Sequence, residues 1–196
     1  MPTGAGYSSP RVSPVVDVTV AAWALLELGV RVGESFRGKG RRQRDRGTRI
    51  LVALTLGAAF GTAAAGPSSQ PLRTLASPQA AGLVVLWLGL ALRAWAIATL
   101  GGDFRTTVEV EPGQTVISAG PYRCVRHPSY TGLLLIAAGF AVVRSSWLSL
   151  AVCVVLLLPA LVRRIHVEEA ELDRVVGEAY RTYESTTTAR LVPWLW

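Results

Sequence analysis

Two short segments concentrate the side chains that could do chemistry together. The first reads Gly120-Pro121-Tyr122-Arg123-Cys124-Val125-Arg126-His127-Pro128-Ser129-Tyr130-Thr131-Gly132 and leads straight into an apolar stretch. Proline costs a helix nothing in its first turn, where the N–H it lacks would have no intrahelical partner, so the spacing predicts a helix opening at Pro128 with His127 at its cap. Helix N-termini present free N–H groups and a partial positive charge, so an anionic ligand group could dock there. On a plainer view Arg123 and Arg126 only mark a membrane boundary, while Tyr122 and Tyr130 anchor at the interface. Composition alone favours neither.

The second segment is Arg163-Arg164-Ile165-His166-Val167-Glu168-Glu169-Ala170-Glu171-Leu172. Ile165, Leu172, Val175, Val176, Ala179, Tyr180 and Tyr183 recur at helical spacing and predict one apolar stripe, with the acids left largely on other, solvated faces. Against that, Glu168 and Glu169 lie within about two turns of the basic boundary, where a carboxylate could meet a cationic ligand or ribose hydroxyls. His166 has no second His or Cys at ligand spacing, so it reads as interfacial or structural, and no metal is expected. Cys124 falls in a polar loop and Cys153 in an apolar block, so no bridge between them is expected either.

The elements that must position these segments follow from composition. Of 196 residues, 51% are hydrophobic and only 17% charged, against roughly 25% charged in soluble domains. The apolar residues form five blocks, Val15 to Val32, Ile50 to Gly66, Ala80 to Leu100, Tyr130 to Val143 and Trp147 to Val162. A span needs on the order of 20 residues, so the fourth block is marginal and the third safest. Only Arg144, Ser145 and Ser146 separate the last two blocks, which predicts a tight helical hairpin. Residues 1–14, rich in Gly, Ser and Pro, read as a disordered lead rather than a signal peptide.

The net charge of +7 is explained by where the cations sit. Arg37, Lys39, Arg41, Arg42, Arg44, Arg46 and Arg49 crowd the loop between the first two blocks, and short basic loops stay in the cytoplasm. Five crossings place Arg105, Arg123, Arg126, Arg163, Arg164, Arg174, Arg181 and Arg190 on that same side and leave only Arg11, Arg73 and Arg144 outside. The basic run lacks interleaved aromatics and is flanked by membrane blocks, so no nucleic-acid partner is expected. The expected architecture is all-α and polytopic: three spans over 15–100 with the basic loop 37–49, then a half over 101–196 made of a loop, a helical hairpin and a cytoplasmic cap. Both chemically rich segments then meet on the cytoplasmic face.

In this order the two segments resemble the isoprenylcysteine carboxyl methyltransferase family. The resemblance rests on Gly120 to Gly132, on Glu168-Glu169, on Gly177, Tyr180 and Tyr183, and on Arg190-Leu191-Val192-Pro193, covering the chain from Leu100 onward. It implies an S-adenosylmethionine-dependent methyltransferase whose lipophilic acceptor, a prenylcysteine-like or isoprenoid carboxylate, arrives from the membrane. Displacement of a cationic sulfur by a carboxylate collapses charge, so a dry pocket and good positioning suffice and no general base is required. The resemblance assigns Tyr122, His127, Pro128, Tyr130, Gly132, Glu168 and Glu169 to the cofactor, and Arg126 or Arg164 to orienting the acceptor carboxylate.

Three other functions fit parts of the chain. Phospholipid methyltransferases look similar over the same half and would make the acceptor a lipid amine, which needs a base. Sterol-type membrane reductases share the hairpin and use NADPH, but carry more spans than 196 residues allow. A non-catalytic scaffold would bind no cofactor. Glu27 and Arg93 lie inside apolar blocks, where ionisable groups are functional suspects, and could pair to line an acceptor cavity. Nineteen arginines against one lysine, among abundant Ala and Gly, suggest a GC-rich bacterial genome and hence a bacterial plasma membrane.

Overall fold

The computed structural model describes residues 14–36, 47–65, 78–101, 116–193 and 196, and among them every regular element is helical. Helix α1 is Pro14–Phe36, α2 is Thr48–Ala65 and α3 is Pro78–Leu100. A 3₁₀ turn at Gly120–Arg123 precedes α4, Pro128–Val143. Helix α5 runs Trp147–Val175, and α6 is Glu178–Thr186. The lead before Pro14, most of the basic loop (37–46), Arg73 and Arg105 lie outside the described residues.

All five apolar blocks are helical. Thr48–Ala65, Ala80–Leu100 and Trp147–Val175 are long and apolar enough to cross a membrane, whereas Val18–Gly29 and Pro128–Val143 are shorter apolar stretches. At 1.5 Å per residue, the 16 residues of α4 reach about 24 Å, less than a hydrocarbon core of about 30 Å. Large side chains such as Leu25, Leu54, Trp87, Leu88, Trp95 and Val155 point outward, while Ala59, Ala63, Ala96 and several glycines are buried between helices. Apolar residues outside and small residues inside are what a bilayer selects, because lipid offers no hydrophobic drive for helices to associate and close packing must supply it.

Helices α3 and α4 make the most extensive contact in the bundle. Gly82 and Gly89 on α3 meet Gly139 and Gly132 on α4, and a Cβ at any of the four would lie 2.6–2.7 Å from backbone atoms of the facing helix. The glycines recur every seven residues, so both contacts fall on one face of each helix. The hairpin turn is the expected Arg144 to Ser146, with Ser145 at positive φ and Ser146 Oγ accepting from the Ser149 N–H. Arg144 reaches back to the carbonyls of Ala63 and Ala64 at the end of α2, at 3.1 and 3.0 Å, where orphan acceptors need donors.

Helix α5 holds a π turn at Cys153–Leu157. Pro159 follows it. Its ring would clash with the carbonyl four residues back and it offers no N–H, so the helix widens just before it. The helix stops at Val175 because Gly177 takes φ +67, while Val176 N–H donates back to the Leu172 carbonyl. The continuous stripe expected from Ile165 to Tyr183 is therefore split between α5 and α6. Ile165, Tyr180 and Tyr183 are buried, but Ala179 is exposed.

Candidate functional site

The site begins where the chain pairs with itself. Arg126 N–H donates to the Ala189 carbonyl and His127 N–H to the Arg190 carbonyl, both at 2.9 Å, and Thr131 Oγ1 donates to the Leu191 carbonyl at 2.7 Å. The loop before α4 is thus laced to the segment after α6. His127 caps α4, its carbonyl accepting from the N–H groups of Tyr130 and Thr131. Its ring stacks on Tyr130 with centroids 5.5 Å apart.

Glu169 is the centre of one cluster. His127 Nε2 lies 3.2 Å from Oε1, Arg126 NH1 lies 3.2 Å from the same oxygen, and Arg190 Nε donates to Oε2 at 2.9 Å. The carboxylate is 7% exposed, so the solvated face expected for the acids of this helix does not hold: a buried charge is tolerable only where cations surround it. Arg126 NH1 is shared with Glu184 of α6, and its NH2 donates to the Thr188 carbonyl.

A second chain runs beside the first. Arg164 Nε donates to the Tyr130 hydroxyl at 2.7 Å, and that hydroxyl donates to Glu168 Oε2 at 2.6 Å. Arg164 NH1 reaches Thr48 Oγ1 at 3.3 Å, which ties α2 to the site. Glu168 is half-buried, and its other oxygen makes no hydrogen bond among the described residues.

The surrounding phenols are held neutral. Burial pushes the Tyr183 hydroxyl up to about 12, and this group donates to the Tyr122 carbonyl at 2.8 Å. Tyr122 and Tyr180 are raised further, by burial first and then by the charges of Glu168 and Glu169 respectively. For Arg126 burial works against the charged form, but the hydrogen bond to Glu184 and the charge of Glu169 outweigh it and raise its pKa. Arg126 Nε and the Tyr180 hydroxyl are buried without a hydrogen-bond partner of regular geometry among the described residues. The two groups nevertheless lie close to each other, since Arg126 acts on the Tyr180 hydroxyl through its charge and a side-chain hydrogen bond, so they answer each other's polarity.

His127, Tyr130, Glu168 and Glu169 therefore come together, with Pro128 buried in the turn between the first two. Tyr122 is buried in the 3₁₀ turn before α4, and its carbonyl accepts from the Tyr183 hydroxyl. Gly132 packs against α3, with Gly89 O and Arg93 N at its Cβ position. Arg126 and Arg164 are buried and already engaged by Glu184, Glu169 and Thr188, and by Tyr130 and Thr48. Arg190, Glu184 and Thr48 received no role from the sequence. Arg190 opens the Arg-Leu-Val-Pro end already singled out, whereas no pattern marks Glu184. Along another face of α5 a groove is lined by Leu158, Pro159, Val162, Arg163, His166, Glu171 and Arg174 among others, apolar first and of mixed charge beyond.

Comparison with known proteins covers part of this site. The model of the isoprenylcysteine carboxyl methyltransferase (ICMT) family matches residues 81–174. A probable protein-S-isoprenylcysteine O-methyltransferase of Oryza sativa subsp. indica is 33% identical over 104 residues, covering 52% of this chain and 54% of the relative. Protein-S-isoprenylcysteine O-methyltransferase B of Arabidopsis thaliana is 32% identical over 104 residues, covering 52% and 53%. The matched region thus spans about half the length of these curated relatives. The structure of the eukaryotic intramembrane Ras methyltransferase ICMT shares the fold, with a TM-score of 0.63 at 20% identity over 96% of this chain and 70% of that one. Over residues 81–174, which hold the first turn of α4 and the glutamates of α5, the chain is similar to the isoprenylcysteine carboxyl methyltransferase family.

Proposed function

We propose that this chain is a membrane methyltransferase that uses S-adenosylmethionine and methylates the carboxylate of a lipophilic acceptor, of the prenylcysteine or isoprenoid kind. The observation that carries the reading is the convergence of His127–Glu169 and Tyr130–Glu168 within the matched family region. When bound, the cofactor supplies a methyl group on a cationic sulfur. The donor set suits it. Among the described residues the second oxygen of Glu168 has no hydrogen-bond partner, which suits a cationic or hydroxyl group of the ligand. Glu169, held by three cationic or cation-forming side chains, fixes the His127 ring and lets the loop and tail close over the site.

A carboxylate acceptor is ionised at neutral pH, so the protein's task is to hold, align and dry the reactants rather than to move a proton. Arg126 and Arg164 are proposed to align the acceptor by swinging from their present partners. The groove on α5, apolar at Leu158, Pro159 and Val162 and basic at Arg163, supports an amphiphilic acceptor. The basic character of the site's flanks supports a cytoplasmic orientation, and the excess of arginine over lysine supports a bacterial plasma membrane. Calorimetric titration of detergent-purified protein with S-adenosylmethionine, S-adenosylhomocysteine and NADPH tests the reading. Saturable binding of the S-adenosyl compounds, lost in His127→Ala, is expected. Binding of NADPH alone would replace it with a reductase, and an unaltered affinity in His127→Ala would remove the pocket assignment.

A further inference from the structure

A third ionic group lies outside both clusters. Arg93, on α3 and 5% exposed, donates from Nε to Glu27 Oε1 of α1. Its NH1 donates to the Ser129 carbonyl at 3.0 Å and to the Ser129 hydroxyl at 2.7 Å. The Glu27 oxygen also accepts from Trp23 Nε1 at 3.2 Å. All of this sits among apolar helices, where a lone guanidinium would be costly and a paired one can be held in a fixed pose. Ser129 lies between Pro128 and Tyr130, one residue past the turn's first position. The His127 cap has irregular backbone angles, φ −126 and ψ 57, and no side-chain capping bond. With no side-chain cap, the first turn of α4 relies on the His127 carbonyl and on contacts from other elements, Arg93 among them.

We propose that Glu27 is a positioning residue for the site. By fixing Arg93 it clamps Ser129 and sets the first turn of α4, so that His127 and Tyr130 meet Glu169 and Glu168. Glu27 lies on α1, outside residues 81–174, so a helix beyond the family match becomes part of the site's framework. The geometric part needs no assumption about the reaction. Only its effect on affinity rests on the cofactor reading above.

The chain has two histidines, so protein labelled with ¹⁵N at the imidazoles gives two ring spectra by NMR, with the exposed His166 as internal control. Glu27→Gln and Ser129→Ala are each expected to move the His127 ring signals and leave those of His166 in place. The double variant should move His127 no further than Glu27→Gln does, because both act through one clamp. S-adenosylhomocysteine affinity should fall about tenfold in each. Ser129→Ala keeps the ion pair, so it reports even if Glu27→Gln folds poorly. The proposal is overturned if His127 stays put in Ser129→Ala, or if both histidines move together, which would signal general loosening. If His127 responds while the unaltered protein binds no S-adenosylhomocysteine, the positioning role stands and the cofactor reading falls.

Discussion

Replacing Gly132 by alanine separates a cofactor-pocket glycine from a packing glycine. The new methyl would lie 2.7 Å from Gly89 O and 2.9 Å from both Cβ and the backbone N of Arg93. Ordinary contact begins near 3.4 Å, so the shortfall is about 0.7 Å, and two of the three atoms are backbone that cannot swing aside. Helices α3 and α4 must part by a similar amount. Overpacking of this kind costs about 1–3 kcal/mol, and a gap of 0.5–1 Å forfeits a quarter to a half of the dispersion well for atoms along the seam. About 3 kcal/mol in total corresponds to a fall in Tm of roughly 6–12 °C for a chain of this size. Gly89→Ala, which meets Gly132 O and Ile136 N at 2.7 Å from the other side, should cost as much. Thermal unfolding in detergent micelles, followed by intrinsic fluorescence, measures both. The reasoning is refuted if Gly132→Ala unfolds like the unaltered protein yet loses S-adenosylhomocysteine binding, or if Gly89→Ala is harmless.

Two further outcomes follow from the site. Glu169→Gln leaves Arg126 and Arg190 without their shared carboxylate; loss of a buried charge partner costs about 3–5 kcal/mol, and the retained Glu184 contact should keep it near the lower end. Thermal unfolding checks this, and an unchanged Tm would mean the cluster contributes nothing net. Tyr183, raised to about 12 by burial, releases its proton later folded than unfolded, so its stabilisation is complete below its ordinary pKa of about 10 and lost as pH rises from there toward 12. Alkaline titration by tyrosinate absorbance should lose a late-titrating group in Tyr183→Phe, and a lost group that titrates at the ordinary value would contradict the burial argument.

Much of the helical order could be read from local chain chemistry. The blocks, the Arg144 to Ser146 turn and the opening of α4 at Pro128 each depend on neighbours within one or two turns, and each stands where it was expected. Expectations that needed distant partners fared differently. The acids of α5 looked solvated because helical periodicity places them off the apolar stripe, yet Glu169 and Glu171 are buried against cations. The seven-residue recurrence of Gly82, Gly89, Gly132 and Gly139 was visible, but spacing alone does not say which helix faces which. Glu27 and Arg93 stood out as intramembrane charges, while their link to Ser129 did not.

Apolar runs, prolines and glycines settled where helices start and stop, because hydrogen bonding and backbone sterics act between residues close in the chain. Motif order settled the family to be expected. Which carboxylate meets which cation was decided only in three dimensions: Glu169 joins His127 across 42 residues and Arg190 across 21, and Arg126 reaches Glu184 across 58. The reason is physical. A buried charge is stable only with a partner a few ångströms away, and that distance is set by how α4, α5, α6 and the segment after α6 pack, not by where the partners lie along the chain.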